Sequence, residues 1–163
     1  MLYRLYHPGD FAQLYAVEES CFEPHFRFSR AYMRKIIQSD RSATWIAEED
    51  SQLTGFAIVC WGADSEAPGA YIQTVEVLKQ HRGQGVGREL LSRVEDSARA
   101  AGAGILWLHV DADNLSAIRL YERHGYAWQS REEHYYARNR AAFVYTKMLA
   151  KPPSAPLALA TDH

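Results

Sequence analysis

Apolar positions recur along this chain with two alternating periods, and the switches between them mark out the elements. Residues 2–6 alternate weakly and predict a first strand, ended by Pro8-Gly9. Asp10 then stands where it can cap a helix over about 10–21, with Phe11, Leu14, Val17, Glu18 and Cys21 on one set of helical rows. Phe22-Glu23-Pro24-His25 breaks that helix, and Ser29 opens a second with Met33, Ile36 and Ile37 as its stripe. Residues 43–48 and 53–61 read as strands joined by the polar turn Glu49-Asp50-Ser51-Gln52, and a further strand follows at 70–78. The most regular helix covers about 85–101, with Leu90, Leu91, Val94, Ala98 and Ala101 on its buried side and Gly102 as its stop. Glu89 with Arg93, and Glu95 with Arg99, stand four apart and are expected on its outer face. A strand at 105–110, a helix at 114–124 capped by Asn114, and strands at about 126–136 and 141–149 complete the pattern.

This order predicts an α/β fold in which one mixed sheet carries helices packed on it. With 163 residues there is room for one core, so residues 1–150 read as a single domain. Pro152-Pro153-Ser154-Ala155-Pro156 then breaks regular structure, and residues 151–163 read as a disordered Pro-rich tail. Apolar residues at 47% and charged residues at 23% are a globular balance, not a disordered one. A formal charge of −2 leaves no basic footprint, which argues against nucleic acid as the main partner. The longest apolar run, Phe56 to Trp61, is far too short to span a bilayer, and Met1-Leu2-Tyr3-Arg4 does not begin a signal peptide. No membrane partner is therefore expected. Cys21 and Cys60 form neither a CxxC motif nor a metal-ligand spacing, so they are expected as reduced core residues of a cytoplasmic protein without a metal.

One turn carries chemistry. Arg82-Gly83-Gln84-Gly85-Val86-Gly87 joins a strand to the long helix. Glycines there remove the β-carbons that keep a ligand from the backbone, and the helix N-terminus adds partial positive charge, an arrangement suited to a pyrophosphate. Arg82 can add a charge-assisted contact. A bare tight turn is the plain alternative. A Walker loop is excluded because Arg88 follows Gly87, and the spacing Gly83-Gln84-Gly85-Val86-Gly87 does not fit a dinucleotide fingerprint.

The same turn resembles the acetyl-coenzyme A signature of the GNAT superfamily of N-acetyltransferases, Gln/Arg-x-x-Gly-x-Gly/Ala. The stretch from Asn114 to Tyr126, Asn-Leu-Ser-Ala-Ile-Arg-Leu-Tyr-Glu-Arg-His-Gly-Tyr, is similar to that family's second signature on the helix after the next strand. The resemblance implies a central sheet of about seven strands with helices on both faces, acetyl-coenzyme A as cosubstrate, and acetyl transfer to a primary amine by direct attack. Leu106-Trp107-Leu108-His109-Val110 before Asn114, and the pair Tyr135-Tyr136, resemble the peptide Nα-acetyltransferase branch, which includes the ribosomal-protein-alanine and NatE-like enzymes. The bacterial members of that branch usually hold Glu where this chain has His109.

The resemblance assigns roles residue by residue. The strand at 70–78 would pair with the coenzyme arm and offer an amide near Val75 or Val77 to the oxyanion. Residues 82–87 and Asn114 would hold the coenzyme. Tyr121 lies at the family's general-acid position, with simple core packing as the alternative. His109 is the expected base, assisted by Tyr71, and Glu76 is the competing base unless it is an ordinary solvent-facing carboxylate. A histidine, ordinarily titrating near 6.5, suits an α-amine near 7.7–8.0 better than a lysine side chain near 10.4. The segment Phe22, Glu23, Pro24 and the hairpin bearing Tyr135 and Tyr136 are expected to wall the acceptor site. The acceptor is thus expected to be a peptide or protein N-terminus. A small amine, or a module that binds acyl-coenzyme A without turnover, is the alternative. Oligomeric state is not legible in the sequence.

Overall fold

A computed structural model describes residues 1–62, 69–137 and 139–149. The Pro-rich tail expected at 151–163 lies outside these residues. The elements are β1 (Leu2–Leu5), α1 (Phe11–Cys21), α2 (Arg30–Gln38), β2 (Ser42–Glu49), β3 (Gln52–Trp61), β4 (Gly69–Val77), α3 (Val86–Ala100), β5 (Ile105–Asp111), α4 (Leu115–Arg123), β6 (Ala127–Ala137) and β7 (Arg140–Met148). They build one mixed sheet in the order β1-β2-β3-β4-β5-β7-β6. Among the described strands, only β4 and β5 pair in parallel. No helix among the described residues is long and apolar enough to cross a membrane.

Strand alternation divides the core in two. Phe56 and Ile58 of β3 meet Leu14 and Val17 of α1 and Met33 and Ile36 of α2 on one face. Ala57 and Val59, one residue out of phase, meet Leu90, Leu91, Val94 and Ala98 of α3 on the other, where α4 adds Ile118 and Tyr121. Helices therefore cover both faces, and β3 is continuously apolar from Phe56 to Val59 because both its faces are buried there. The turn between β2 and β3 holds Asp50 and Ser51 at φ of 51° and 64°, the left-handed pair that a two-residue hairpin needs.

Three local expectations are corrected. Asp10 precedes α1 but does not cap it. A short 3-10 turn at Pro8–Asp10 leads into the helix, and the Asp10 carboxylate turns back to accept from the His7 amide at 2.7 Å and from both Arg4 Nη atoms at 2.8 Å. Glu95 is not on the outer face of α3: it is buried, accepts from Tyr126 Oη at 2.7 Å and meets Lys147 Nζ at 3.1 Å, while Arg99 donates to Asp96. The i,i+4 spacing was right, but β7 and Tyr126 pack over that side of the helix. Glu89 and Arg93 do pair, at 3.0 Å. Ala101 caps α3 and is exposed, so the buried stripe ends at Ala98.

Candidate active site

Two irregularities in β4 open the site. Its pairing with β5 stops at Ile72↔Leu108, although β4 runs on to Val77 and β5 to Asp111. The edge beyond Ile72 thus lacks a strand partner on its β5 side, leaving backbone groups near Val75 and Val77 for a ligand. The register with β3 also shifts between Ile58↔Thr74 and Val59↔Ile72, so Gln73 is an extra residue. Ala70 and Ile72 face α3, yet so do Val75 and Val77. The bulge reverses the parity, so Tyr71 before it and Glu76 after it project to the same α1/α2 side.

On the donor side, Gly83 and Gly85 hold φ of 77° and 84°, where a β-carbon would be strained. Gly85 precedes α3 without a side-chain cap, and the first helical bond is Glu89 N–H to the Gly85 carbonyl. The amides of Val86, Gly87 and Arg88 therefore have no helical acceptor. A cavity of 750 Å³ runs from this turn past Asn114 and Leu120 to Tyr121 and Glu76. Free amides, absent β-carbons and a cavity of that size fit a pyrophosphate-bearing ligand. Arg82 belongs as much to the scaffold: Nε donates to the Val77 carbonyl at 2.9 Å and Nη2 approaches Cys21 Sγ at 3.7 Å. Asn114 caps α4 through Oδ1 and the Ala117 amide, while also lining the cavity. Gln84 is exposed outside it. Cys21 and Cys60 are half-buried, unbridged and packed against the α1/α2 core, and Cys21 also lines the cavity.

The inner end of the cavity holds Tyr121 and Glu76. Tyr121 is buried, packs edge-on against Tyr126, and its phenol is pushed up by burial and by the Glu76 charge. Glu76 is not the solvent-facing carboxylate its strand position suggested: it is 3% exposed. Burial, then its hydrogen bond to Glu18 and the Glu18 charge, hold its carboxyl well above the ordinary range, opposed only by the Thr74 hydroxyl donating to Oε2 at 2.7 Å. Glu18 comes from α1, where Oε2 accepts from the Phe28 amide at 3.0 Å. Among the described residues, Oε1 of both glutamates is buried without a partner. A protonated Glu76, the form its raised pKa favours, supplies a donor between two carboxyls that otherwise only accept.

A testable consequence concerns stability. Because the folded-state pKa of Glu76 is raised, its contribution is fully present below the unfolded value of about 4.3 and is lost as pH rises towards the folded value. Glu76→Gln keeps a donor for Glu18 and an acceptor for Thr74 without that titration. The stability of the variant relative to wild type should rise above about pH 4.5, by at most about 1.4 kcal/mol per pH unit, and its relative Tm should rise with it. Thermal melts across pH 4–8 showing a constant difference would contradict the shared proton.

The acceptor side is aromatic. His109 lies between Tyr71, whose hydroxyl is 2.9 Å from Nδ1, and Glu132, whose Oε2 is 3.1 Å from Nε2. Tyr135 stacks on the imidazole at 4.1 Å and 8°, and Trp107 meets Tyr71 at 4.4 Å. Tyr135 meets Tyr136 edge-on, and Tyr136 meets Phe26 of the α1–α2 connection at 6.3 Å and 82°, so the loop and the hairpin touch. Arg27 braces that loop by donating to the carbonyls of Phe22 and Glu19. Phe22 turns into the donor cavity, whereas Glu23 and Pro24 are exposed. Burial first, and then the charges of Tyr135, Asp111 and Tyr121, push the Tyr136 phenol up. His109, Tyr71 and Tyr135 do not line the donor cavity. Sequence reading missed the roles of Glu18, whose place on the apolar rows of the first helix was the one signal, and of Glu132, for which neither spacing nor motif gave any.

A sheet splayed at β4 and β5, a glycine turn opening a helix beside the splay, and a tyrosine at the cavity end define a coenzyme-dependent transferase site. The match of residues 11–126 to the acetyltransferase (GNAT) family assigns the chain: it belongs to that family. It is 42% identical over 88 residues to a streptothricin acetyltransferase of Streptomyces lavendulae, 53% of this chain but only 46% of that protein's length. It is 25% identical over 136 residues to an N-alpha-acetyltransferase of Arabidopsis thaliana, 83% of this chain and 70% of the relative. In fold it resembles the ribosomal-protein-S18-alanine N-acetyltransferase of Escherichia coli, with a TM-score of 0.81 and 22% identity over 94% of this chain and 96% of that one.

Proposed function

We propose that the protein transfers an acetyl group from acetyl-coenzyme A to a primary amine, most readily the α-amine of a peptide or protein N-terminus. The observation that carries this reading is the meeting of two halves on β4: a phosphate-holding turn whose cavity ends at Tyr121 and Glu76, and an aromatic face in which Tyr71, on the same side of that strand as Glu76, meets His109 and Tyr135. The coenzyme supplies the acetyl thioester. Amides of Val86, Gly87 and Arg88 hold its pyrophosphate, and the open β4 edge near Val75 donates to the developing oxyanion. Tyr121 donates to the departing sulfur. His109, acting with Tyr71, takes the amine proton, since a Glu76 that already shares a proton with Glu18 is a poor base. The tyrosine pair suits a peptide because its hydroxyls can hold backbone groups, and the similarity to an N-alpha-acetyltransferase agrees. The second reading is a small amine, favoured by the higher identity to a streptothricin acetyltransferase.

The test is thiol release from acetyl-coenzyme A over short peptides beginning with Met, Ala or Ser, free amino acids, polyamines and streptothricin-type amines. Peptides should give the highest kcat/KM. Tenfold preference for a non-peptide amine would move the assignment to the second reading, and binding without release over the whole panel would remove catalysis altogether. With the preferred acceptor, His109→Ala should lower the rate most below pH 8, and the deficit should narrow as the amine deprotonates unaided. Glu76→Gln should stay within about threefold of wild type.

A further inference from the structure

We infer that Glu132 is a positioning residue for proton transfer: it fixes the tautomer of His109 so that Nδ1 is the proton acceptor and Tyr71 the group that meets the amine. The inference rests on the reading of His109 as the base. Both imidazole nitrogens are occupied, one by Tyr71 Oη at 2.9 Å and the other by Glu132 Oε2 at 3.1 Å. A carboxylate only accepts, so Nε2 carries the proton and donates it to Glu132. Nδ1 is then an acceptor, and the Tyr71 hydroxyl donates to it. Burial first, and then the neighbouring Tyr135 and Tyr136, push the Tyr71 phenol up, so it is protonated and able to donate.

The surroundings make this arrangement specific. The His109 side chain is only 8% exposed and stacked against Tyr135, so its ring nitrogens meet side chains and not bulk water. Glu132 is 47% exposed and reaches the ring across β7. The register explains how: His109 stands opposite Val144, and Glu132 stands opposite Ala142, one row further along, where the side chain between the two outer strands is a single methyl. The β6–β7 register breaks directly after Glu132 and resumes at Ala137. That bulge, held by the Asn139 amide donating to His134 Nδ1, carries Tyr135 onto the imidazole face.

The proton path then balances. As the amine nitrogen bonds to the acetyl carbon, its proton passes to Tyr71 Oη and the Tyr71 proton passes to His109 Nδ1. The resulting imidazolium keeps Nε2–H on Glu132, whose negative charge stabilises it. The carbon–sulfur bond then breaks, and the coenzyme leaves as a thiolate hydrogen-bonded by Tyr121, which lines the donor cavity where His109 and Tyr71 do not.

The experiment compares Glu132→Gln, Glu132→Ala and Glu132→Asp with wild type and with His109→Ala, using one fixed peptide acceptor. Imidazole nitrogen shifts from two-dimensional ¹H–¹⁵N NMR should identify the Nε2–H tautomer in the wild-type protein. Glu132→Gln can turn its amide donor to Nε2 and stabilise the opposite tautomer, so it should lose about tenfold or more in kcat with unchanged acetyl-coenzyme A affinity. Glu132→Asp should recover part of the loss. An Nδ1–H tautomer in wild type overturns the inference. So does a Glu132→Gln enzyme within twofold of wild type when His109→Ala has lost tenfold. If His109→Ala is itself fully active, the base reading fails and the role of Glu132 fails with it, a result distinguishable because the wild-type tautomer is read independently of turnover.

Discussion

Gly85→Asp is expected to leave the fold intact and to weaken acetyl-coenzyme A binding by about 10²–10³-fold. Space is not the obstacle: a β-carbon at position 85 meets only Arg88 Nη2, at 3.9 Å. The backbone cost is modest as well, since the φ of 84° is a left-handed conformation that aspartate tolerates better than most residues. An aspartate preceding the first helical residue also suits the positive end of α3. The ligand suffers instead. A carboxylate about 4 Å from a phosphate charge costs about 4 kcal/mol at an effective dielectric constant of 20, and pairing with Arg88 offsets part of it. The new side chain also competes for the amides of Val86 to Arg88 that the pyrophosphate would use. Calorimetric titration of folded variant and wild type measures the effect directly. Equal affinities would show that the turn is structural and the coenzyme site lies elsewhere.

Tyr121→Phe is expected to lower kcat by roughly 10–10²-fold while leaving coenzyme affinity nearly unchanged. Phenylalanine keeps the ring that packs in the α3–α4 core and against Tyr126, so the cavity wall survives. Only the hydroxyl is lost, and it matters when charge reaches the sulfur. Burial pushes the phenol up, above an ordinary thiol near 8.5, so complete transfer of its proton to the departing thiolate is uphill. Its contribution is better described as a hydrogen bond to a charged group, about 1.5–3 kcal/mol, which sets the expected factor at the lower end of general-acid effects. A Glu76 that shares its proton with Glu18 also removes part of the charge that raises the phenol, making it a better donor. Single-turnover rates with saturating coenzyme isolate the step. A variant within twofold of wild type would reduce Tyr121 to packing.

Short-range physics explains why much of this protein could be read before folding. The order of strands and helices followed from period alone, and Asn114 and Ser29 were recognisable as caps because a cap answers to amides two or three residues away. The glycine turn was equally local: Gly83 and Gly85 occupy left-handed backbone whatever surrounds them. Expectations failed where a neighbour distant in sequence decided the outcome. Glu95 and Arg99 had the spacing of a surface pair, but Lys147, 52 residues away, and Tyr126 claim the glutamate. Asp10 had a cap's identity, but Arg4 and the His7 amide hold its carboxylate. Glu76 was expected as a base or as a solvent-facing carboxylate, but the extra Gln73 in β4 turns it to the α1/α2 side, where α1 buries it beside Glu18, 58 positions earlier in the chain. Glu132 carries no motif at all; it reaches His109 because β7 inserts between β5 and β6 in a particular register. Hydrogen bonds within a turn or a cap depend on the order of residues, whereas those between strands and from helix to sheet depend on register, and register is set by the packing of the whole sheet.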